Sequence, residues 1–514
     1  MAPMCRGGLL LIFSGFLAIG CVDQDKSERD FAFLQKRYSF EARAPGQPAW
    51  LTAAEAEEDL RELGAILEER FAYLHWLGVD YAKALESTRA GLADGIETGD
   101  LALQLQKLLA LFGDGHTQVP SLSDYFPAVY LPIALGDARE GMVAYQADGS
   151  GLLDDDYPIL KFIDGATVEE LIRATSVLVQ RGSPQLVRRR SLGLTRHAPF
   201  WRRELGLPDH EKAVLTLSSL DGAKERIIEV DLVGDEAPVA WHWLDDSRFP
   251  HAEYRILDGD VGYLRIRRMA ADSGFVALLH EAMGRFQTTS GLIIDVRGNG
   301  GGDRAALVHL FPYLMPPGSN PRISNVAKYR LTLEDTIGDP EGYLDNRFLF
   351  PATSSRYGAA ERGAIEELAE TFRPAWVPPQ DSFSDWHYLI LTAKDTTPYY
   401  HYDRSVVVLQ DEACFSATDI FLSGFKGWPG VTLMGMASSG GSGRTRSFVL
   451  SNSRIPLRIS SMASYLVDGR LMDGAGVTPD IELKPSFRDL AGETDTVLQA
   501  ALSLIGSGRV GGAG

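Results

Sequence analysis

The sequence predicts a multidomain α/β protein, and three observations lead to this prediction. The chain has 514 residues, more than one compact core usually holds. From about residue 252 onward, buried-type strands alternate with amphipathic helices, which is typical of an α/β layer. Before that point come a helical stretch and then a stretch of short strands. We therefore expect further units on the N-terminal side of the α/β layer.

Composition and charge narrow the classes of partner. Hydrophobic residues make up 45% of the chain and charged residues 23%, which is ordinary for a folded protein. The formal net charge is −19 at pH 7, and an acidic surface repels the phosphate backbone of a nucleic acid. The composition therefore argues against nucleic acid as a partner.

The first 21 residues are typical of a targeting segment. Arg6 precedes the apolar run GGLLLIFSGFLAIG, which is too short to span a bilayer comfortably. The run ends in LAIGC and resembles a bacterial lipobox, in which the cysteine, here Cys21, is lipidated and becomes the mature N-terminus. An ordinary cleaved signal and a weak membrane anchor are the alternatives.

The targeting segment has consequences for location. We expect a lipoprotein-type signal peptide over residues 1–21 and a polar tether over residues 22–47. The protein is then exported to the bacterial cell envelope, in the periplasm or on the outer membrane. Its membrane association is by the N-terminal lipid anchor only.

Cysteine usage limits covalent and metal chemistry. The chain contains only Cys5, Cys21 and Cys414, and the first two lie in the targeting segment. The exported body therefore holds one cysteine and no internal disulfide. Because no Cys/His cluster has metal-ligand spacing, we expect no metal and no cofactor. Cys414 suits a buried packing role.

A helical region is predicted over residues 48–125. Thr52 and Glu55 form a T-x-x-E capping box, and the leucines that follow recur at helical spacing. A second helix is predicted through DLALQLQKLLALFG, with Asp100 as its N-cap. The loop beyond it carries DGHT, which contains His116.

The remaining chain divides into three parts. Residues 126–248 show short strands interrupted by one helical run, TVEELIRAT, and this pattern predicts a small β-rich module. Residues 249–490 hold the α/β domain, interrupted at about 320–400 by an irregular stretch that we interpret as an insertion. Residues 491–514 predict a C-terminal helix and a flexible glycine-rich tail.

A glycine-rich loop follows one buried strand of the α/β domain. In DVRGNGGG, Asp295 to Gly302, the glycines allow close approach of a ligand and leave N–H groups free for an anion. The match to nucleotide-binding patterns is poor, because no G-K-[ST] follows. An oxyanion hole needs the same N–H groups. A tight turn between strand and helix is the alternative.

Ser416 lies where the strand run VVVLQDEACF gives way to the helical run SATDIFLSGF. A serine at such a junction is commonly a helix N-cap. The alternative is a nucleophile, whose developing negative charge the Ala417 N–H and the helix N-terminus would favour.

Five stretches occur in the order VGYLRI, GLIIDVRGNGGG, VVVLQDEACFSATDIF, GVTLMG and GAGVTPDIEL. Together they resemble the C-terminal processing, or tail-specific, protease family and its tricorn-like and retinoid-binding-protein-like relatives. The resemblance covers most of the chain from about 50 to 487. It implies a crotonase-like catalytic domain of ββα repeats and a PDZ-like module at 126–248.

The resemblance also implies roles for residues of the site. Ser416 matches the nucleophile of the family. The oxyanion donors are then the N–H of Ala417 and one N–H between Gly300 and Gly302, with Gly301 the first choice.

The sequence departs from the main branch of that family at one place. Bacterial tail-specific proteases pair the serine with a lysine in a G-K-G after the following strand. Here the stretch reads GMASSGGSGRTR, and Gly441 stands where the lysine belongs. Lys426, in the helix after Ser416, is interpreted as solvated. A Ser–Lys dyad is therefore unsupported.

The tricorn-like branch implies a different base. It takes a histidine from the N-terminal part as base and an acidic residue near the C-terminal motif as orienter, and His116 and Asp473 match these two. A neutral imidazole can take a serine proton. Asp114 is a rival orienter, and Gly115 stands where that branch has a serine.

The sequence therefore predicts an exported serine endopeptidase that cleaves a peptide or protein through a Ser-His-Asp site. His387 and His401 are alternative bases. The second hypothesis is a catalytically inactive protein on the same scaffold that binds an apolar ligand or a peptide. A structure in which Ser416 and His116 cannot approach hydrogen-bond distance would favour this second hypothesis. The substrate and the oligomeric state stay open.

Overall fold

The computed structural model describes residues 31–234, 249–332 and 342–508. The predicted signal peptide, the lipidation at Cys21, the start of the tether and the end of the tail lie outside these ranges. Inside them, no helix combines the length and the apolar character that a bilayer crossing requires.

The segment predicted as a tether is packed into the protein from residue 31 onward. Four of its side chains are buried in the same core as the helices that follow: Phe31, Leu34, Tyr38 and Phe40. The Tyr38 N–H donates to the Asp100 carboxylate over 2.7 Å, so Asp100 holds this segment and does not cap its helix. The prediction of a free tether is therefore wrong for residues 31–47, because spaced aromatic anchors need no periodicity.

The N-terminal region contains the helices α1 Ala53–Arg70, α2 Tyr81–Ala90 and α3 Thr98–Ala110, and the short paired strands β1 Trp50–Leu51 and β2 Ile96–Glu97. The predicted capping box is present, since Thr52 accepts from the Glu55 N–H and the Glu55 carboxylate accepts from the Thr52 N–H. Helix α3 is buried along its whole length. It therefore fixes the loop beyond it, which carries His116.

The β-rich module contains more helix than the sequence predicts. Its strands are β3 Val129–Tyr130, β4 Ile133–Ala138, β5 Gly141–Gln146, β6 Ile159–Ile163, β7 Ala166–Thr167, β8 Lys212–Ser218, β9 Glu225–Asp231 and β10 Val233–Gly234. The main sheet has the order β4-β5-β6-β8-β9, with β7 beside β6. Three helices cover it: α4 Val168–Ser176, α5 Pro184–Leu194 and α6 Ala198–Leu205. Strand β4 is an edge strand, and the PDZ-like assignment stays a prediction.

The α/β domain is built on a six-stranded sheet. Its strands, in spatial order, are β11 Ala252–Leu257, β12 Val261–Ile266, β13 Gly291–Asp295, β17 Val406–Gln410, β18 Val431–Gly435 and β22 Ile481–Glu482. All neighbours are parallel except β11 and β12. Helices α7 Ser273–Phe286, α8 Ala305–Leu310, α10 Ala417–Phe425 and α12 Thr496–Gly506 belong to the same domain, whereas the short helix α11 Phe487–Leu490 packs against β4 and β5 of the β-rich module. Because β13 and β17 are parallel neighbours, the glycine loop and the segment that leads to Ser416 leave the sheet at the same edge.

The stretch predicted as an irregular insertion is folded into a second sheet, so the prediction of irregularity is wrong. This sheet has the order β15-β16-β14-β21, with β14 Arg322–Tyr329, β15 Phe350–Pro351, β16 His387–Leu391 and β21 Met462–Tyr465. Helix α9 Ala359–Thr371 and the hairpin of β19 Thr445–Val449 and β20 Pro456–Ser460 complete the elements. Strand β14 finds its partner β21 far along the chain, which a local pattern cannot reveal.

Candidate active site

Ser416 is displayed in a conformation that excludes a capping role. Its backbone has φ 61° and ψ −118°, in a region that non-glycine residues rarely adopt. Its side chain makes no capping hydrogen bond to α10. Instead, Ser416 Oγ lies 3.0 Å from His116 Nε2, although the two residues are 300 positions apart in the chain.

The His116 ring is held on two sides. It stacks on the Phe415 ring with a centroid separation of 4.5 Å and an interplanar angle of 25°. Gly443 lies against the ring as well, since a Cβ there would be 3.1 Å from His116 Cγ. The backbone N–H of His116 donates to Asp114 Oδ1 over 3.1 Å. The position of the imidazole is therefore fixed by packing and by its own loop.

The surroundings of His116 keep the imidazole neutral. Burial lowers its pKa to about 3, and the guanidinium groups of Arg190, Arg347 and Arg458 act in the same direction. With Nε2 accepting from the Ser416 hydroxyl, the Nδ1 atom carries the ring proton. A neutral imidazole in this tautomer can accept the serine proton.

Two buried carboxyl groups lie behind His116. Asp114 and Asp473 are both fully buried, and one oxygen of each lies within 4.8 Å of a His116 ring nitrogen. Burial raises the pKa of Asp114, and burial together with the charge of Asp114 raises the pKa of Asp473 to about 8. Burial thus disfavours the charged form of both carboxyl groups, and a negative charge on one opposes ionisation of the other.

The structure corrects the assignment of Asp473 as the direct orienter of His116. Asp473 Oδ2 accepts from the Tyr73 hydroxyl over 2.7 Å, and its Oδ1 accepts from the Gly115 N–H over 3.3 Å. Asp114 Oδ1 lies 3.9 Å from His116 Nδ1, too long for a hydrogen bond, and Nδ1 has no partner among the described residues. Asp114 is thus the carboxyl group nearer to His116 Nδ1, and Asp473 is directed towards Tyr73 and the histidine loop.

The same three side chains are a grouping that could hold a cation. Both carboxyl groups are already engaged, because Asp473 accepts from Tyr73 and Asp114 accepts from the Thr117 hydroxyl. Only His116 Nδ1 is without a partner among the described residues, since Nε2 faces Ser416. The raised pKa values of Asp114 and Asp473 also disfavour a metal ion, because a carboxyl ligand must lose its proton. The chemistry of the group suits proton transfer better than metal binding.

The structure also corrects the choice of oxyanion donor. The N–H of Gly301 donates to Asn299 Oδ1 over 2.9 Å and is not free. Among the described residues, the N–H groups of Gly300, Gly302 and Ala417 have no acceptor. Ala417 is the first residue of α10, so its N–H lacks an intrahelical acceptor. The site therefore has N–H donors on both sides of Ser416.

Asn299 joins the glycine loop to the serine segment, a role that the sequence did not suggest. Its Oδ1 also accepts from the Thr418 hydroxyl over 2.9 Å, and its Nδ2 donates to the Ile266 carbonyl over 3.0 Å. Its own carbonyl accepts from the Phe415 N–H over 3.1 Å. The fully buried Asn299 thus fixes the glycine loop against the start of α10.

Phe415 fills the space that a lysine or a serine would need. A Cβ at Gly441 would lie 2.7 Å from Phe415 Cζ and still closer to Cε2, and a Cβ at Gly115 would lie 2.9 Å from Cζ. Both departures from the family pattern therefore make room for the same ring. The available sequence signal was that glycine stands at both positions that depart from the family pattern, Gly115 and Gly441, while an aromatic residue, Phe415, precedes Ser416.

The other candidates lie outside this arrangement. Lys426 pairs with Asp480 over 2.5 Å, His387 Nδ1 contacts the Asp385 carbonyl, and His401 is exposed. Cys414 is fully buried, with Sγ donating to the Val296 carbonyl over 3.1 Å, in agreement with a packing role.

A family comparison covers the part of the chain that contains Ser416. Residues 260–483 match the model of peptidase family S41. The matched segment includes the glycine loop, Ser416 and Asp473, and it excludes His116. This match agrees with the resemblance found in the sequence. The branch with a histidine base stays a prediction.

Solved structures share the fold over most of the chain. Mature CPAF complexed with lactacystin has 18% identity and a TM-score of 0.61, covering 88% of this chain and 99% of that chain. A CPAF mutant has 17% identity and a TM-score of 0.62, covering 90% and 99%. The photosystem II D1 C-terminal processing protease has 12% identity and a TM-score of 0.41, covering 86% and 98%. The CPAF structures establish a common mixed α/β fold.

Proposed function

We propose that this chain is an exported serine peptidase of the tail-specific type, with Ser416 as nucleophile and His116 as base. The observation that carries the proposal is the 3.0 Å separation of Ser416 Oγ and His116 Nε2 at a strained strand–helix junction. The match to peptidase family S41 over the segment that holds Ser416 supports the class of reaction. Export and lipid anchoring rest on the sequence of residues 1–21.

The proposed reaction is acyl transfer to serine. Ser416 Oγ attacks the carbonyl carbon of the scissile peptide bond while His116 Nε2 takes the hydroxyl proton. His116 then gives this proton to the leaving amine, and water deprotonated by the same imidazole hydrolyses the acyl-enzyme. The free N–H groups of Ala417 and the glycine loop hold the oxyanion, and the N-terminus of α10 adds a favourable field. This chemistry requires no cofactor.

The buried carboxyl pair completes a Ser-His-Asp site. When His116 becomes positively charged, negative charge on the Asp114 and Asp473 pair stabilises the imidazolium. Asp114 is the group that faces Nδ1, and a contraction of the 3.9 Å separation would form the orienting hydrogen bond. Asp473 supports Asp114 and fixes the loop through the Gly115 N–H.

A peptide or protein substrate agrees with the shape of the neighbouring surface. A cavity of about 960 Å³ lies between edge strand β4, helix α5 and the segment Asp411 to Ala413 that leads to Ser416. An edge strand offers unpaired backbone groups to an extended peptide. We therefore place the approach of the substrate chain along β4 towards the glycine loop.

The test is the substitution Ser416→Ala, with Ser423→Ala on the same helix as its control. Ser416→Ala should abolish hydrolysis of peptides and labelling by a serine-directed phosphonate, and it should leave the melting temperature nearly unchanged. Ser423→Ala should keep both activities. Peptide hydrolysis by the Ser416→Ala variant at the wild-type rate would refute the proposal.

The hypothesis of an inactive binding protein has less support. That hypothesis would be favoured by a serine and a histidine that lie too far apart to interact. In this structure, Ser416 Oγ and His116 Nε2 lie at hydrogen-bond distance. The unpartnered Nδ1 is the one observation in its favour. A wild-type protein that binds peptides but reacts with no phosphonate would support it.

A further inference from the structure

An arginine cluster that forms no hydrogen bond or ion pair with a carboxylate of the described residues lies beside the candidate active site. Its members are Arg304, Arg347 and Arg444, and their described hydrogen-bond partners are all neutral oxygen atoms. The whole chain has 69 acidic and 50 basic residues, so carboxylates are not scarce. Among the described residues, Asp303 is the carboxylate whose charge acts on Arg304 and Arg347, and it forms no ion pair with either. Three adjacent cations with one nearby negative charge are costly in a folded protein and suit an incoming anion.

Arg304 forms the buried floor of the cluster. Only 2% of it is exposed, and it donates to Asn325 Oδ1 over 3.1 Å, to the Arg347 carbonyl over 3.0 Å and to Ser442 Oγ over 3.0 Å. Its Nε has no partner among the described residues. Arg304 thereby connects the backbone of Arg347 with the loop that follows Gly441.

Arg347 places a cation against the glycine loop. Its guanidinium donates to the Gly302 carbonyl over 3.4 Å, and its buried Nε has no partner in the described part of the chain. The charge of Arg347 also reaches His116, where it helps to lower the pKa of the imidazole. The guanidinium therefore lies on the side of the site where the oxyanion donors stand.

Arg444 approaches from the histidine side. It follows Gly443, which contacts the His116 ring, and it donates to Asn346 Oδ1 over 2.7 Å. Its guanidinium lies 4.4 Å from the Tyr343 ring centre, which holds the side chain in place. Burial and the charge of Arg444 both lower the pKa of Arg347. The two cations thus repel each other, and within the described part of the chain most of their donors have no acceptor.

We infer that Arg347 and Arg444 form a subsite for a carboxylate of the substrate next to the scissile bond, with Arg304 as a positioning residue beneath them. A guanidinium binds a carboxylate through two parallel hydrogen bonds, and a pair of guanidinium groups can clamp both of its oxygens. The carboxylate belongs either to an Asp or Glu side chain or to the free C-terminus of the peptide. This inference rests on the proposed peptidase activity and adds the specificity of that site.

The experiment compares matched peptides that differ in one charge. Internally, Glu is exchanged for Gln at each of the positions around the cleaved bond, and separately the C-terminus is a free acid or a carboxamide. The ratio of kcat/KM for the charged and the neutral member is measured with the full chain. Arg347→Gln and Arg444→Gln are the test variants. Arg356→Gln is the control, because this exposed arginine pairs with Asp345 over 3.4 Å and lies outside the cluster.

The wild-type protein and the control should prefer the charged member at one position by roughly tenfold or more, as expected for a charge-assisted hydrogen bond. Either test variant should reduce that ratio to near one. The comparison of Glu with Gln peptides and that of free-acid with carboxamide peptides together identify which carboxylate the subsite binds. A ratio near one in the wild type, or a preference that survives in both test variants, would overturn the inference.

A binding measurement separates this inference from the proposed function. In the Ser416→Ala background, a fluorescent Glu peptide and its Gln counterpart are titrated without turnover. Tighter binding of the charged peptide that Arg347→Gln removes upholds the subsite, even if the wild type hydrolyses nothing. Equal binding of both peptides overturns it, even if hydrolysis is robust.

Discussion

Replacing Gly441 by alanine tests whether Phe415 holds the His116 ring in its working position. The backbone of Gly441 does not have a positive φ, so alanine is allowed there and the effect must come from the added methyl group. That methyl carbon would lie 2.7 Å from Phe415 Cζ and 3.2 Å from Asp473 Oδ1. The Phe415 ring is the group that has to move.

The size of the movement follows from van der Waals distances. Carbon atoms pack at about 3.5–4.0 Å, so the ring must shift by about 1 Å. Gly115 and the Arg190 guanidinium, 4.9 Å from the ring centre, confine the ring on other sides, and His116 stacks on its face. We expect the displaced Phe415 ring to displace the His116 imidazole that stacks on it. A misplacement of about 1 Å costs roughly 10²-fold in rate, and overpacking costs about 1–3 kcal/mol of stability.

The assay is the second-order rate of labelling by a phosphonate, which depends on Ser416 and His116 and not on a peptide sequence. Gly284→Ala is the control, since a Cβ there meets no atom within 4 Å and the residue lies in helix α7. In the double variant Gly441→Ala, Phe415→Ala, the methyl group has room, so adding Gly441→Ala to Phe415→Ala should cost little. The reasoning is refuted if Gly441→Ala labels at the wild-type rate, or if its cost is the same in both backgrounds.

Four further predictions concern the site and the contacts that support the fold. A pH–rate profile should show no loss of labelling near pH 6.5, because burial lowers the pKa of His116 to about 3; a midpoint near 6.5 would contradict this. Folded Asp473 binds its proton more tightly than the unfolded chain does, so its contribution to the free energy of unfolding in urea should fall as pH rises from 3.8 towards about 8. Asp473→Asn should flatten this pH dependence. The same pH dependence in the variant would mean that Asp473 is ionised throughout. Asn299→Ala should lower the labelling rate by about 10²-fold through loss of the oxyanion geometry, and an unchanged rate would show that the loop needs no brace. Asp59→Ala removes the acceptor of two backbone N–H groups, at 2.7 and 2.8 Å, in the loop before β20. Urea unfolding should show a loss of about 2–4 kcal/mol, and an unchanged midpoint would mean that water replaces the carboxylate.

The sequence was informative where the controlling interactions are local. The capping box at Thr52 lies within one turn, and the strand VGYLRI and the glycine loop after GLIID carry their own periodicity and turn residues. The position of Ser416 at a strand–helix boundary could be found in the same way. The local pattern alone could not give its role, because a cap and a nucleophile have the same local pattern. The order of the five family-like stretches favoured a nucleophile, and the absence of a capping hydrogen bond and the short distance to His116 support that prediction.

The features that the sequence missed depend on contacts between distant segments. Strand β14 is defined by pairing with β21, and residues 31–47 are ordered by burial among helices that come later. The N–H of Gly301 was predicted as an oxyanion donor, but it donates to the Asn299 side chain instead. Such competition between acceptors cannot be predicted from the spacing of residues.

The hydrogen bonds that assemble the site join residues 300 and 400 positions apart, His116 with Ser416 and Tyr73 with Asp473. A growing chain therefore displays its imidazole long before the serine that it contacts has been synthesised. A fragment that ends before residue 416, or one that begins after residue 116, lacks one member of the Ser416–His116 pair. If the proposed activity is right, a cleaved peptide bond would report that two distant segments of one chain have come together.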